Sequence, residues 1–217
     1  MHVLFIGNSY TYYHDMPTLF EKLAIDNQKD VTVHSVTAGG RKLTDYMDST
    51  DETTMALEAL LAEHTFDVCF IQEQSLRPAA DFNRFMEGLD YVVNKLKDRV
   101  DVLIMYATWG RKDGSEALFT HNWTPQSMTN LLADAYQAAA KQYHARVSPV
   151  GRCFLTIVQT HPEIDLYDPD KSHPSYQGSC LAALTHYYAL WGSFPENTDS
   201  LTLTAEELIA FKAAVCQ

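Results

Sequence analysis

Short apolar runs along this chain alternate with longer stretches in which apolar residues return every three or four positions. Val3-Leu4-Phe5-Ile6 reads as a buried strand, and Gly7-Asn8-Ser9 breaks it. Residues 17–27 follow with Leu19, Phe20, Leu23 and Ala24 on one helical face, and Pro17 suits the start of that helix. Residues 31–36 predict a second strand, ending at Thr37-Ala38-Gly39-Gly40. The pattern then gives a helix over Glu52–Glu63, a third strand over Phe66–Ile71, a helix over 82–98 and a fourth strand over Val100–Tyr106. Residues 108–123 are polar, contain glycine and lack a period, which predicts a long surface loop, a kind of segment that is often functional. Beyond it lie a helix over Pro125–Tyr143, a short fifth strand over 145–150 and a helix over 151–159. Two further helices cover 175–191 and 204–215, the last opening on a Thr-Ala-Glu-Glu cap.

Strands that alternate with helices predict a mainly parallel sheet of about five strands, covered on both faces: a three-layer α/β/α sandwich. No internal repeat, low-complexity segment or linker divides the 217 residues, so a single domain over 1–217 is expected. The hydrophobic fraction of 46% is that of a globular protein. A formal charge of −12 argues against nucleic acid or an anionic membrane as a partner, since both require a basic face. No apolar run reaches membrane-spanning length and no signal-peptide pattern precedes the first strand, which predicts a cytoplasmic location for the chain as given. The four cysteines, Cys69, Cys153, Cys180 and Cys216, are scattered without a Cys-x-x-Cys pair and read as buried free thiols.

Candidate chemistry lies at the two ends of the chain. Ser9 follows the first buried strand, where open α/β sheets place ligands, although Gly, Asn and Ser are also ordinary turn residues. Near the other end, Asp170 and His173 stand three apart in a loop before the helix over 175–191. Pro174 suits the first turn of that helix, and it biases His173 toward extended backbone. A serine to attack, a histidine to take its proton and a carboxylate to orient the histidine are the components of nucleophilic acyl transfer.

At these residues the sequence resembles the SGNH (GDSL-type) esterases and acetylhydrolases. The shared features are Gly-Asn-Ser after strand one, a glycine after strand two and Asp-x-x-His-Pro-Ser near the C-terminus. The resemblance spans Phe5 to about Ala183 and is greatest to an uncharacterised branch with Gly-Asn-Ser-x-Thr, Gln-Glu-Gln-Ser and Asp-x-x-His-Pro-Ser motifs. It implies a flavodoxin-like fold, no cofactor, and a Ser9–His173–Asp170 triad. The oxyanion would be held by the backbone N–H of Ser9 and of Gly39, with Gly40 as the neighbouring alternative. Many members place an asparagine after strand three, and this chain has none there. Gln72-Glu73-Gln74-Ser75 resembles instead the Gln-Gly-Glu-Ser of sialate and xylan acetylesterases. That makes Gln72 the expected third donor, with Gln74 as alternate. Glu73, costly if buried unpaired, is expected to find a partner, with Arg77 the candidate.

Asp168 could compete for His173, but spacing favours Asp170. His34 and His186 read as packing or surface residues, and His161-Pro162-Glu163 lacks zinc-site spacing, so no metal is expected. Tyr10, Tyr12 and Tyr13 follow the serine, and Trp109 follows strand four. Tyr10 and Trp109 are the candidates for a substrate pocket. The expected activity is hydrolysis of short acyl esters, acetyl groups on a sugar foremost, with a small acylated molecule as partner. The alternatives are a lipase or thioesterase of the same fold, or a non-catalytic flavodoxin-like module binding phosphate, flavin or glycan. Gly-x-Ser-x-Gly, the signature of the α/β-hydrolases, occurs nowhere.

Overall fold

A computed structural model describes all residues, Met1–Gln217. Five strands, β1 (His2–Gly7), β2 (Thr32–Thr37), β3 (Phe66–Ile71), β4 (Val100–Tyr106) and β5 (Arg146–Ser148), form one sheet in the order β2-β1-β3-β4-β5. Every neighbouring pair is parallel. Ten helices connect and follow the strands. The first five are α1 (Ser9–Tyr12), α2 (Met16–Asp26), α3 (Glu52–Glu63), α4 (Arg77–Ala80) and α5 (Phe82–Leu96). The others are α6 (Glu116–His121), α7 (Pro125–Tyr143), α8 (Val150–Thr160), α9 (Tyr176–Trp191) and α10 (Ala205–Val215).

Successive strand residues point to opposite faces, and the two sets enter separate cores. Val3, Phe5, Val68, Phe70, Ile104 and Tyr106 pack with α2, α8, α9 and α10 through residues such as Phe20, Phe154, Leu181 and Phe211. Leu4, Ile6, Cys69, Ile71 and Met105 face α3, α5 and α7 through Leu57, Phe85, Leu89 and Tyr136. Both faces of the sheet are thus covered, which is why the central strands read as continuous apolar runs rather than alternating ones. The expected three-layer α/β/α architecture with a parallel five-stranded sheet is the one observed.

The chain leaves β1 toward β2 on one side and returns to β3 on the other. The C-terminal ends of β1 and β3 therefore flank a topological switch point, the crevice where open α/β sheets bind ligands.

Three local expectations are corrected. The segment 108–123 is not a long surface loop. Thr108, Trp109, Gly110 and Arg111 are buried, and Glu116–His121 forms α6. Its aperiodic sequence arises because these residues meet several different elements: Trp109 stacks on Phe154, and Gly110 N–H donates to Thr129 Oγ1. Pro174 lies outside α9, paired with Tyr167 in an isolated antiparallel bridge, and Ser175 is the helix cap, accepting from Gly178 N–H. Of the four free cysteines, Cys69, Cys153 and Cys180 are buried but Cys216 is exposed.

Candidate active site

Ser9 owes its position to the turn that ends β1. Asn8 caps the four-residue α1, its Oδ1 accepting from Tyr10 N–H, while its Nδ2 donates to the Arg41 carbonyl at 2.9 Å. Asn8 N–H and Thr11 Oγ1 both donate to Gln72 Oε1, at 2.9 and 3.0 Å. Gly7 is required by this close approach: a Cβ there would lie 2.3 Å from Thr11 Oγ1 and 2.6 Å from Gln72 Oε1. The serine turn is thereby tied to the ends of both flanking strands.

His173 reaches Ser9 from the loop before α9, its Nε2 2.8 Å from Ser9 Oγ. Asp170 holds the loop and the ring together: Oδ1 accepts from the N–H groups of Ser172 and His173, both at 2.9 Å, and Oδ2 meets His173 Nδ1. Burial pushes the Asp170 carboxyl up, but the hydrogen bonds from the His173 ring and from the two backbone N–H groups prevail and lower it. A carboxylate on Nδ1 fixes the proton there and leaves Nε2 as the acceptor toward Ser9. Asp168, the competitor, faces His14 at 3.9 Å instead. The Tyr13 ring stacks on His173 at 4.2 Å and Tyr10 meets it edge-on at 5.6 Å, restricting its rotation.

The loop carrying His173 is anchored in turn from β4. Trp109 Nε1 donates to the Ser172 carbonyl at 3.1 Å, Tyr10 OH meets Ser172 Oγ at 3.0 Å, and Arg111 Nη1 donates to the same Oγ. Trp109 was expected at the pocket; it has no exposed surface, and lies stacked between Phe154 and Tyr10. Its role is to support the loop and Tyr10. Tyr10 itself lines the cleft.

That cleft, about 210 Å³, opens on Ser9 and His173. Hollows of about 340 and 460 Å³ lie beside Glu206 and Asn27, but neither contains a nucleophile paired with a base. Size is the poorer guide here, since chemistry needs the Ser9–His173 contact.

The glycine at the cleft wall is Gly40 rather than Gly39. Arg41 N–H donates back to the Ala38 carbonyl, and Gly40 takes a φ of +66° inside that turn, where glycine is strain-free. A Cβ on Gly39 would lie 3.4 Å from Tyr12 OH. Neither the Gly39 N–H nor the Gly40 N–H has a protein acceptor.

Gln72 is not a free donor. It is fully buried, its Oε1 is held by two donors from the serine turn, and its Nε2 donates to the Glu73 carbonyl. A flipped amide would set Nε2 against the Asn8 N–H, donor to donor, so the orientation is dictated by chemistry. Gln74 lines the cleft. Its Oε1 accepts from Leu76 and Arg77 N–H at 2.9 and 3.1 Å, which leaves Nε2 as a positioned donor without a protein acceptor.

Glu73, between them, is buried beneath the site. Its carboxylate accepts from the Leu43 and Gln74 N–H groups, whereas Arg77 donates to Thr44 Oγ1. Burial pushes its pKa up to about 7, against the pull of those backbone donors and of the Arg77 charge.

Arg111 and Ser172, which no sequence motif marks, also line the cleft, as does Ser75 of the Gln72–Ser75 motif, and Tyr13 stacks on His173. Arg111 closely follows the C-terminal end of β4, which places it on the same sheet edge as Ser9, but no motif or period marks it.

A candidate SGNH hydrolase from Slackia heliotrinireducens superposes with a TM-score of 0.77 at 25% identity, over 88% of this chain and 98% of its own. The fold is that of the SGNH (GDSL-type) hydrolases. A DUF4886 family protein from Bacteroides uniformis matches all of this chain and 93% of its own, with a TM-score of 0.82 at 19% identity. The acetylxylan esterase Axe2 from Geobacillus stearothermophilus matches 88% of this chain and 94% of its own, at a TM-score of 0.62 and 14% identity. At such identities the last two show the fold alone. No family model matches the chain, and no curated protein does. No helix is long and apolar enough to cross a membrane.

Proposed function

We propose that this chain of SGNH-hydrolase fold is a serine esterase that removes short acyl groups, acetyl foremost, from an alcohol of carbohydrate type. One observation carries the reading: Ser9 Oγ lies 2.8 Å from His173 Nε2 while His173 Nδ1 is held by Asp170. In this mechanism His173 takes the Ser9 proton as Oγ attacks the ester carbonyl, and Asp170 stabilises the imidazolium that forms. The N–H groups of Ser9 and Gly40 and the Nε2 of Gln74 receive the oxyanion; the Ser9 N–H stands in the first turn of α1, where no intrahelical partner exists. His173 then returns its proton to the leaving alcohol, and water releases the acyl group by the same steps in reverse roles.

The short acyl preference follows from the cleft. Among its lining residues are Asn8, Gln74, Ser75 and Arg111, and it offers no apolar channel for a chain. Each methylene buried in an apolar pocket contributes about 0.8 kcal/mol, and without such a pocket that gain is absent. The acetylxylan esterase among the structural neighbours supports acetylated sugars as the substrate class. A flavodoxin-like phosphate or flavin module would have no use for a serine, histidine and carboxylate joined in this way.

A panel of p-nitrophenyl esters from acetate to octanoate, with acetylated sugars, assayed on wild type and Ser9→Ala, tests the reading. The expected outcome is kcat/KM flat or falling beyond about butyryl, and loss of turnover in the variant. A steady rise to octanoate would replace the carbohydrate assignment by a lipid or thioester one. Undiminished turnover by Ser9→Ala would remove the nucleophile.

A further inference from the structure

We infer that Arg111 and Ser75 form a carboxylate-binding subsite beside Ser9, so that the preferred substrate is an acyl ester of an acidic alcohol, such as a sugar acid or hydroxy acid. This rests on the esterase reading above and narrows its substrate class.

Arg111 is the one permanently cationic side chain lining the cleft, and only 8% of it is exposed. Buried charges ordinarily have a charged partner. Arg41 pairs with Asp51, Lys95 with Glu58 and Lys112 with Asp165, but no carboxylate lies within 4.0 Å of Arg111. Its contacts are neutral: Nη1 donates to Ser172 Oγ, Nη2 donates to Ser75 Oγ at 2.8 Å, and the guanidinium lies 5.3 Å from the Tyr10 ring centroid. Two of its five N–H donors are thus engaged, and the others have no protein acceptor.

The carboxylate nearest in charge terms, Asp170, has both oxygens committed to the His173 loop. Burial lowers the Arg111 pKa to about 10, against the pull of Asp170, so the group stays charged at neutral pH.

Ser75 supplies the second observation. Its Oγ accepts from Arg111 and makes no other bond, so its own proton has no protein acceptor, and the residue is buried at the cleft wall. A guanidinium fork next to a free hydroxyl proton matches the two oxygens of a carboxylate. The chain carries a net charge of −12, whose long-range field disfavours anions, so anion recognition here requires a local cation of this kind.

Matched pairs of acetyl esters test the subsite: an O-acetylated hexuronic acid against the O-acetylated neutral hexose, and an O-acetylated hydroxy acid against its carboxamide. Wild type should favour the acid member by at least about tenfold in kcat/KM, mainly through KM, with the advantage shrinking as salt is raised. Whichever pair shows the larger ratio identifies the source of the carboxylate. In Arg111→Gln the ratio should collapse toward one, and Arg111→Lys should restore part of it. If Arg111→Gln slows both members equally and keeps the ratio, Arg111 is only a strut for the His173 loop and the inference is overturned. A wild-type ratio of one or less overturns it too, with the esterase reading intact if the neutral acetates are turned over; this arm needs no folded variant. Should no ester be hydrolysed, the esterase reading fails, and calorimetric titration of the free hexuronic acid and hydroxy acid into wild type decides the subsite separately. Absence of binding at millimolar acid would end it.

Discussion

The two ends of the parallel sheet both gather histidine, with different results. Toward the N-terminal end His2 stacks on His34 and on His64 while those two meet tilted, ring centroids 5.0–5.8 Å apart, and His2 Nδ1 faces His34 Nε2 at 3.2 Å. At the C-terminal end a carboxylate holds one nitrogen of His173 and a serine meets the other, while His186, bonded to Ser148 Oγ at 2.7 Å, is sealed in the core with its other nitrogen unpartnered. Three imidazoles facing each other have no fixed proton direction. One imidazole between an acceptor and a hydroxyl has one. Reactivity thus comes from the partners of the ring and not from the number of rings. The site end also buries polar groups that a stable core avoids, namely Glu73, Gln72 and Arg111, whereas the polar side chains of the far end reach solvent.

The sharpest way to break this comparison is to remove one histidine from each end. His173→Ala is expected to lower kcat by about 10⁴-fold or more, the scale set by loss of a catalytic base. His34→Ala should leave kcat/KM within about twofold, a surface-change magnitude. Comparable losses in both, measured on p-nitrophenyl acetate, would mean that the far end communicates with the chemistry.

Next in size is the carboxylate that distinguishes the two environments. Asp170→Asn keeps a side chain that can accept from the loop N–H groups but no longer compels the Nδ1 proton. The expected drop in kcat is large, about 10²–10⁴-fold, yet smaller than for His173→Ala. An unchanged rate would show that the loop alone orients His173.

Glu73 tests the cost of the site end by stability rather than rate. Its pKa is raised from the ordinary 4.5 to about 7, so the folded state holds its proton where the unfolded chain has released it. The associated stability is fully present below the unfolded value of 4.5, and is lost as pH rises through the folded value of about 7. The size is on the order of 3 kcal/mol, from the separation of the two pKa values. Glu73→Gln, which can keep an oxygen toward Leu43 and Gln74, should flatten the pH profile of urea unfolding between those limits and exceed wild type at pH 8. A wild-type profile that rises across this interval would contradict the assignment.

The smallest effect belongs to the far end. Burial, then the neighbouring His64 and His2 charges, lowers the His34 pKa. Its neutral form therefore contributes stability above the unfolded value of 6.5 that is lost as pH falls below it. His34→Ala should slightly reduce the fall in melting temperature between pH 7 and 5, and a steeper fall would reverse the sign of the argument.

The amino-acid sequence by itself determined the order of the strands and of the longer helices, the parallel sheet, the Ser9 turn and the Asp170–His173 pair. These are legible because each depends on near neighbours: continuous apolar runs mark strands buried on both faces, Gly7-Asn8 turns the chain at Ser9, and Asp170 reaches His173 within one loop. Only the tertiary structure decided among equivalent side chains. Gln72 and Gln74 carry the same amide two positions apart, and what separates them is the β1 turn lying against the end of β3, whose Asn8 N–H claims Gln72 and leaves Gln74 facing the cleft. Gly40 rather than Gly39 lines the cleft, and Trp109 went to the core because Phe154 and Tyr10 close over its faces. Arg111 had no periodic or motif signal, because its meaning comes from what surrounds it: two serines from distant loops and no carboxylate. Direction and absence of a partner are properties of packed neighbours, and linear spacing does not encode them.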